Sequence, residues 1–245
     1  MKLGCKIGEG NTAEVYEWGA DRVIKLFYPG FPASAIEKEY VNAKSVKKLD
    51  FDKVHEHGIV SYGNRTGIVY DQLEGESLLD YLHHTGNIDK AVTMMTGLHN
   101  AILDQEMFEE NILYYKKFLN ENITHNTTLS EKEQEFYHEK VSRLPDDSQL
   151  CHGDFHPGNI ILTAKGPFVI DFMNICRGPE LYDVARTYFL MNSQFPVSSD
   201  GQDDQTEQLR RRLVDGYLAS MRVMPEEIED YLEVIRVARK GEELS

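Results

Sequence analysis

The stretch Cys151-His-Gly-Asp-Phe-His-Pro-Gly-Asn159 sets Asp154 five residues ahead of Asn159. Two short apolar runs follow, Ile160–Leu162 and Phe168–Ile170, separated by a Lys165-Gly166 turn. Asp171 ends the second run. Read as strand, turn and strand, the segment carries Asp171 back beside the loop that holds Asp154 and Asn159. Three oxygen-bearing side chains can then converge on one point. Hard oxygen donors of this kind suit Mg2+, which keeps several waters and bridges phosphates. A carboxylate beside them can take a proton from a hydroxyl.

A second set of residues lies near the start of the chain. Gly8-Glu-Gly-Asn-Thr-Ala-Glu-Val-Tyr16 puts Gly8, Gly10 and Thr12 in a turn between two strands. Without Cβ atoms, backbone N–H groups in such a turn approach a phosphate chain closely. Nine residues after Tyr16, Val23-Ile-Lys25 ends with a lysine inside an apolar strand. An inward ammonium there requires an anion. The following helix offers Glu37 and Glu39. Its apolar residues lie nearer the side of Glu39, which makes Glu39 the expected partner. Glycine turn, lysine, base, amide and carboxylate, in that order, form the pattern of phosphoryl-transfer sites.

The elements that must position these residues fall into two groups. Leu3–Ile7, Glu14–Trp18 and Arg22–Phe27 read as short strands, and His57–Tyr62 with Thr66–Tyr70 as a hairpin around Gly63-Asn64. Between them Ser34–Leu49 reads as a helix, with Ser34 as its cap. The remainder reads mostly as helix. Ala91, Met95, Leu98 and Ile102 share one face, Ser130-Glu-Lys-Glu133 is a capping box closed off by Pro145, and Ile228, Tyr231, Leu232 and Ile235 share a face after Pro225. A β-rich island, Leu150–Phe172, interrupts the helices. The expected class is α+β and bilobal: a small sheet-plus-helix N-lobe over 1–70, a hinge at 71–75 and a larger, mostly helical C-lobe over 76–245. A cleft between two lobes is a common ligand site.

Composition narrows the partners. The 245 residues carry 26 Lys and Arg against 41 Asp and Glu, a net charge of −15. Such acidity argues against nucleic acid or an anionic membrane; it favours a cationic acceptor through steering, while a solvated acidic surface accounts for it equally well. The uncharged stretches Ala91–Leu103 and Thr187–Ser199 are too short to span a bilayer, and the N-terminus shows no signal peptide. Cys5, Cys151 and Cys176 form no disulfide framework, so a reducing cytoplasm is expected. No signal for an oligomer is readable.

These segments together resemble the aminoglycoside phosphotransferase and choline kinase superfamily, small-molecule kinases that share the protein-kinase fold. The matches are the glycine loop, the Lys25 strand, the Tyr70–Gly75 crossover, the His152–Asn159 loop, Val169-Ile-Asp171-Phe, and Gly178–Arg186 with its Asp183-Val-Ala. The resemblance implies ATP and Mg2+, and γ-phosphate transfer to a hydroxyl of a small molecule such as an amino sugar, aminoglycoside or amino alcohol. It implies Asp154 as base, Asn159 and Asp171 as metal ligands, and Lys25 on the phosphates with Glu39 as its partner. The hinge around Asp71 and Leu73 would hold adenine through backbone groups. His152 becomes a structural histidine and Asp183 a brace for the catalytic loop. The run Phe172-Met-Asn-Ile-Cys departs from the ring and acidic residue that the family often carries there.

Other readings compete. A kinase fold that binds nucleotide but transfers nothing is the alternative, set against the presence of Lys25, Asp154, Asn159 and Asp171 together. A protein kinase would carry Asp-Phe-Gly and Ala-Pro-Glu segments, which the sequence lacks. The alternate spacing of His152, Asp154 and His156 imitates a zinc site, but Pro157-Gly158 follows and no fourth ligand is near. Cys151 and His99 read as packed groups, and His83-His84 and Arg210–Arg212 as solvated ones.

Overall fold

In the computed structural model, residues 2–193 and 204–243 are described. The part of Thr187–Ser199 from Gln194 onward lies outside the described residues. Strands β1 (Lys6–Glu9), β2 (Ala13–Glu17) and β3 (Arg22–Phe27) form an antiparallel meander. The sheet continues through the hairpin of β4 (Glu56–Tyr62) and β5 (Arg65–Asp71), giving the order β1-β2-β3-β5-β4. The first strand starts later than its sequence pattern suggests. Gly4 and Cys5 still bond to the backbone of Glu17, but the ladder is irregular between Lys6 and Gly8.

The two-residue period of β3 decides where Lys25 goes. Ile24 and Leu26 join Trp18 and Val69 in a small outer cluster. Val23 and Phe27 face the other way, into the main core. Lys25 shares their face and meets helix α1 (Ala33–Val46). That helix opens at Ala33, and Ser34 does not cap it. The Pro32 carbonyl already accepts the amides of Ala35 and Ile36, so the first turn closes without a side-chain cap. Its buried stripe is Ile36, Glu39, Asn42, Ala43 and Val46, with two polar residues among the apolar ones.

The helical part contains α2 (Leu78–Thr85), α3 (Ile88–Leu103), α4 (Tyr115–His125), α5 (Glu131–Arg143), α6 (Glu180–Ser193), α7 (Asp204–Met221) and α8 (Pro225–Glu242). The Ser130–Glu133 capping box starts α5 as the sequence indicates. Two small sheets sit among the helices. β7 (Gln149–Cys151) pairs with β10 (Cys176–Gly178). β6 (Gly75–Ser77) adds to the hairpin of β8 (Ile160–Thr163) and β9 (Gly166–Val169). Gly75 permits this contact, because a Cβ there would lie 1.9 Å from the Leu162 carbonyl oxygen. The seam between the large sheet and the helical part is bonded too. The Val54 amide donates to Val169, and the Val169 amide to Asp52. One core runs through both parts.

Candidate functional site

At the seam, Lys25 projects from β3 to two carboxylates. Its Nζ is 2.9 Å from both oxygens of Glu39 and 3.0 Å from Oδ2 of Asp171. Glu39 is fully buried, and the Tyr70 hydroxyl donates to it at 2.9 Å. Burial and the neighbouring negative charge push the Glu39 carboxyl up, although Lys25 opposes this. Burial works against the Lys25 charge, but Asp171 and Glu39 hold the ammonium above its ordinary value. Burial likewise works against the Asp171 carboxylate, and Lys25 outweighs it and holds the group low. Glu37, the other candidate partner, stays exposed on α1.

Asp171 is not the last residue of a strand. β9 stops at Val169, and Asp171 follows in a left-handed conformation (φ 67°). That conformation is uncommon outside glycine, though aspartate and asparagine tolerate it best. It turns the carboxylate back toward Lys25 while its Oδ1 accepts the Met173 amide at 3.3 Å.

The loop before β8 supplies the other groups. Asn159 closes a 3-10 turn, Pro157–Asn159, and its Nδ2 donates to Asp154 twice, at the carbonyl (2.9 Å) and at Oδ2 (3.1 Å). The amide oxygen of Asn159 is thereby left for another partner. His152 is buried, which pushes its imidazole below the usual histidine value and keeps it neutral. Its Nε2–H donates to the Ile170 carbonyl and its Nδ1 accepts the Asp154 amide. Both ring nitrogens serve the loop, so the spacing that imitates a zinc site does not gather a metal there. Among the described residues no group of three or more His, Cys, Asp or Glu is arranged to hold a metal ion.

The glycine turn joins β1 to β2. The Gly10 amide bonds to Ala13, Thr12 accepts from the Tyr28 amide, and the Tyr28 hydroxyl bonds to Glu9 and Gly10. At Gly8 and Gly10 a Cβ would meet nothing closer than 3.6 Å and 4.0 Å, so neither packing nor backbone conformation calls for glycine. At the end of β5, the Asp71 amide donates to His55 and its carboxylate pairs with His57 at 2.5 Å. The Leu73 amide makes no hydrogen bond among the described residues.

The sequence matches the phosphotransferase enzyme family (APH) over residues 6–229. The chain belongs to that family. It is a small-molecule kinase by class. Several solved structures share its fold. An aminoglycoside-3'-phosphotransferase of type VIII aligns with TM-score 0.65 at 13% identity, over 98% of this chain and 93% of that one. An amicoumacin kinase in complex with AMP-PNP, Ca2+ and Ami aligns with TM-score 0.62 at 14% identity, over 98% and 79% of the respective chains. The aminoglycoside phosphotransferase APH(3'')-Id from Streptomyces rimosus, in complex with ADP and streptomycin, gives 0.61 at 13%, over 92% and 90%. At such identities the likeness is one of fold. No curated protein sequence matches the chain significantly.

Behind the His152–Asn159 loop, the phosphotransferase has a buried polar scaffold. Asp183 on α6 accepts the amides of His152 (2.7 Å) and Gly153 (2.8 Å), and His99 Nε2–H donates to it at 3.1 Å. Burial opposes the Asp183 charge, but the bond from His99 holds the carboxyl low. The Tyr217 hydroxyl bonds His99 Nδ1 at 2.7 Å, and the ring stacks on Phe155. Asn42 of α1 donates to the Phe172 carbonyl at 2.8 Å and fastens the segment after Asp171. Three contributors to the site escaped the sequence reading: the Tyr70 hydroxyl, Asn42, and Arg186, whose Nε donates to the Gly153 carbonyl. Asn42 lies three residues after Glu39, and Arg186 three after Asp183. A polar residue on an otherwise apolar helical stripe was the available signal. Tyr70 gave none, because its partner is 31 residues away.

Proposed function

We propose that this phosphotransferase moves the γ-phosphate of ATP, with Mg2+, to a hydroxyl of a small cationic molecule. The observation that carries the reading is the Lys25 ammonium held between buried Glu39 and Asp171, with Ile170, the residue before Asp171, bonded through its backbone to Asn159 and His152 of the Asp154 loop. Glu39 and Tyr70 fix the ammonium in place, so that it faces the phosphates when nucleotide enters. The missing side chains at Gly8 and Gly10 suit a phosphate chain lying against the backbone of the turn. Residues 71–75 act as the hinge between the lobes. Asp71 has its side chain and amide engaged, and the Leu73 amide is left for adenine.

The donor set fits Mg2+. Asp171 offers carboxylate oxygens and Asn159 its amide oxygen, with no nitrogen or sulfur ligand among them. One carboxylate and one amide suit a cation that retains waters and is shared with phosphate. Bound there, the metal would neutralise charge on the transferring phosphate. Asp154 orients the acceptor hydroxyl and takes its proton, while Asn159 holds Asp154 from the side.

The net charge of −15 favours a cationic acceptor through steering. The named ligands of the fold relatives, streptomycin among them, make amino sugars and aminoglycosides the first compounds to try. The test is ADP release from Mg-ATP across a panel of amino sugars, amino alcohols, aminoglycosides and neutral polyols. The expected result is acceptor-dependent release with a cationic member and loss of release in EDTA. Release that no acceptor stimulates would reject the reading.

A further inference from the structure

Arg186 lies within the core and is completely buried. It stands on α6, one turn beyond Asp183, and reaches three elements at once. Its Nε donates to the carbonyl of Gly153, the residue before Asp154. Its two terminal nitrogens make a bidentate pair with Glu242, each at 2.8 Å. Its guanidinium plane lies over the Phe118 ring of α4, 4.9 Å from the centroid. Glu242 is the last residue of α8 and also accepts from Arg239 at 2.9 Å.

The placement of Glu242 has its own structural requirement. Gly241 lies where α8 crosses the end of α4, and a Cβ there would sit 1.8 Å from the Asn122 carbonyl oxygen. Only glycine lets α8 come this close and deliver Glu242 to Arg186. A buried guanidinium must keep a paired anion, and a bidentate carboxylate also fixes its plane. With that plane fixed, the remaining Nε–H points at Gly153 alone. Asp183 holds the same loop through two amides, and Arg186 holds it through a carbonyl. Gly153, the residue before Asp154, is thus gripped at both its amide and its carbonyl.

We infer that Arg186 and Glu242 are positioning residues, through which the end of the C-terminal helix sets the position of the Asp154 carboxylate for transfer. The inference rests on the phosphotransfer reading for its effect on rate, but not for its effect on the loop. Loss of the Glu242 charge frees the guanidinium to turn, and Gly153 loses its donor. Displacement of a reacting group by an ångström costs about 10²-fold in rate, so a partial loosening predicts a fall of roughly 10-fold.

The test compares Glu242→Gln and Glu242→Asp with the wild type, each checked for folding by circular dichroism. Amide exchange over residues 152–158 is followed by mass spectrometry, and Mg-ATP turnover is measured with the acceptor from the screen above, or with water as acceptor. The expected result for Glu242→Gln is faster exchange in that loop and a lower kcat, with KM for ATP within about 2-fold. Glu242→Asp, which keeps a carboxylate, should recover part of both. A merely structural role would lower the melting temperature but leave kcat per folded molecule and loop exchange unchanged, and that outcome overturns the inference. If Glu242→Gln does not fold, Glu242→Asp decides by the same two readouts. A wild type without turnover would reject the phosphotransfer reading, and loop exchange alone would then decide the inference.

Discussion

An ammonium held between two carboxylates, as Lys25 is between Glu39 and Asp171, leaves one negative charge in excess. That excess separates the roles of the two acids. Glu39 is buried, bonded to Tyr70 and pushed up, so it can take a proton if Lys25 is lost. Asp171 is about 30% exposed at its side chain and open to a cation. Lys25→Met should therefore lower kcat/KM for ATP by about 10²-fold or more, since a fixed charge facing the transferring phosphate is removed. Its stability loss should stay on the order of 1–3 kcal/mol, because protonated Glu39 keeps its Tyr70 bond. Steady-state kinetics alongside urea melts check both halves. A variant with wild-type kinetics would show that Lys25 faces no phosphate. This pair was legible in the sequence because it needs only a two-residue period in β3 and an apolar stripe on α1. The left-handed turn at Asp171 was not, since no residue type there demands it.

Short elements carry the His152–Asn159 loop. The three-residue strands β6, β7 and β10 are too brief for any periodicity, so the sequence showed only an island between helices, Leu150–Phe172, without its partners. The helix faces around Met95 and Ile235 were legible because four or more turns repeat the pattern. Gly153 joins β7 to the loop at φ 74°, and a Cβ there would lie 2.1 Å from the Asn174 carbonyl oxygen. Gly153→Ala should cost at least about 2 kcal/mol and lower turnover with it, read by urea melts and initial rates. Equal stability to wild type would contradict the close approach. The α6–α8 contact gives a pH dependence. Burial opposes the Glu242 charge, but Arg186 overcomes it and brings the carboxyl from 4.5 down to about 2. A lowered carboxylate adds stability in full above its unfolded value, and that stability disappears as pH falls from about 4.5 toward 2. The melting temperature should fall over that interval, and Glu242→Gln should flatten part of the fall. An identical slope in the variant would show that the pair contributes nothing.

Across the whole molecule, Lys25 and Asp171 lie far apart in the sequence, and they meet because one core spans the sheet and the helices. The family pattern was legible in local motifs. The long-range polar contacts that set those motifs in place, such as Arg186 with Glu242 and Asn42 with Phe172, leave only a polar residue on a helical stripe, with nothing local to name its partner. The most direct measurement follows the γ-phosphate of ATP itself. Isotopically labelled Mg-ATP is incubated with the acceptor panel, once with the wild type and once with Asp154→Asn, a nearly isosteric change. The account predicts label on a hydroxyl of a small cationic molecule with the wild type. With Asp154→Asn the rate should fall by roughly 10²–10⁴-fold, the range for loss of a general base, with fold and Mg-ATP affinity retained. Wild-type transfer by Asp154→Asn, or label found only as inorganic phosphate or on protein, would contradict it.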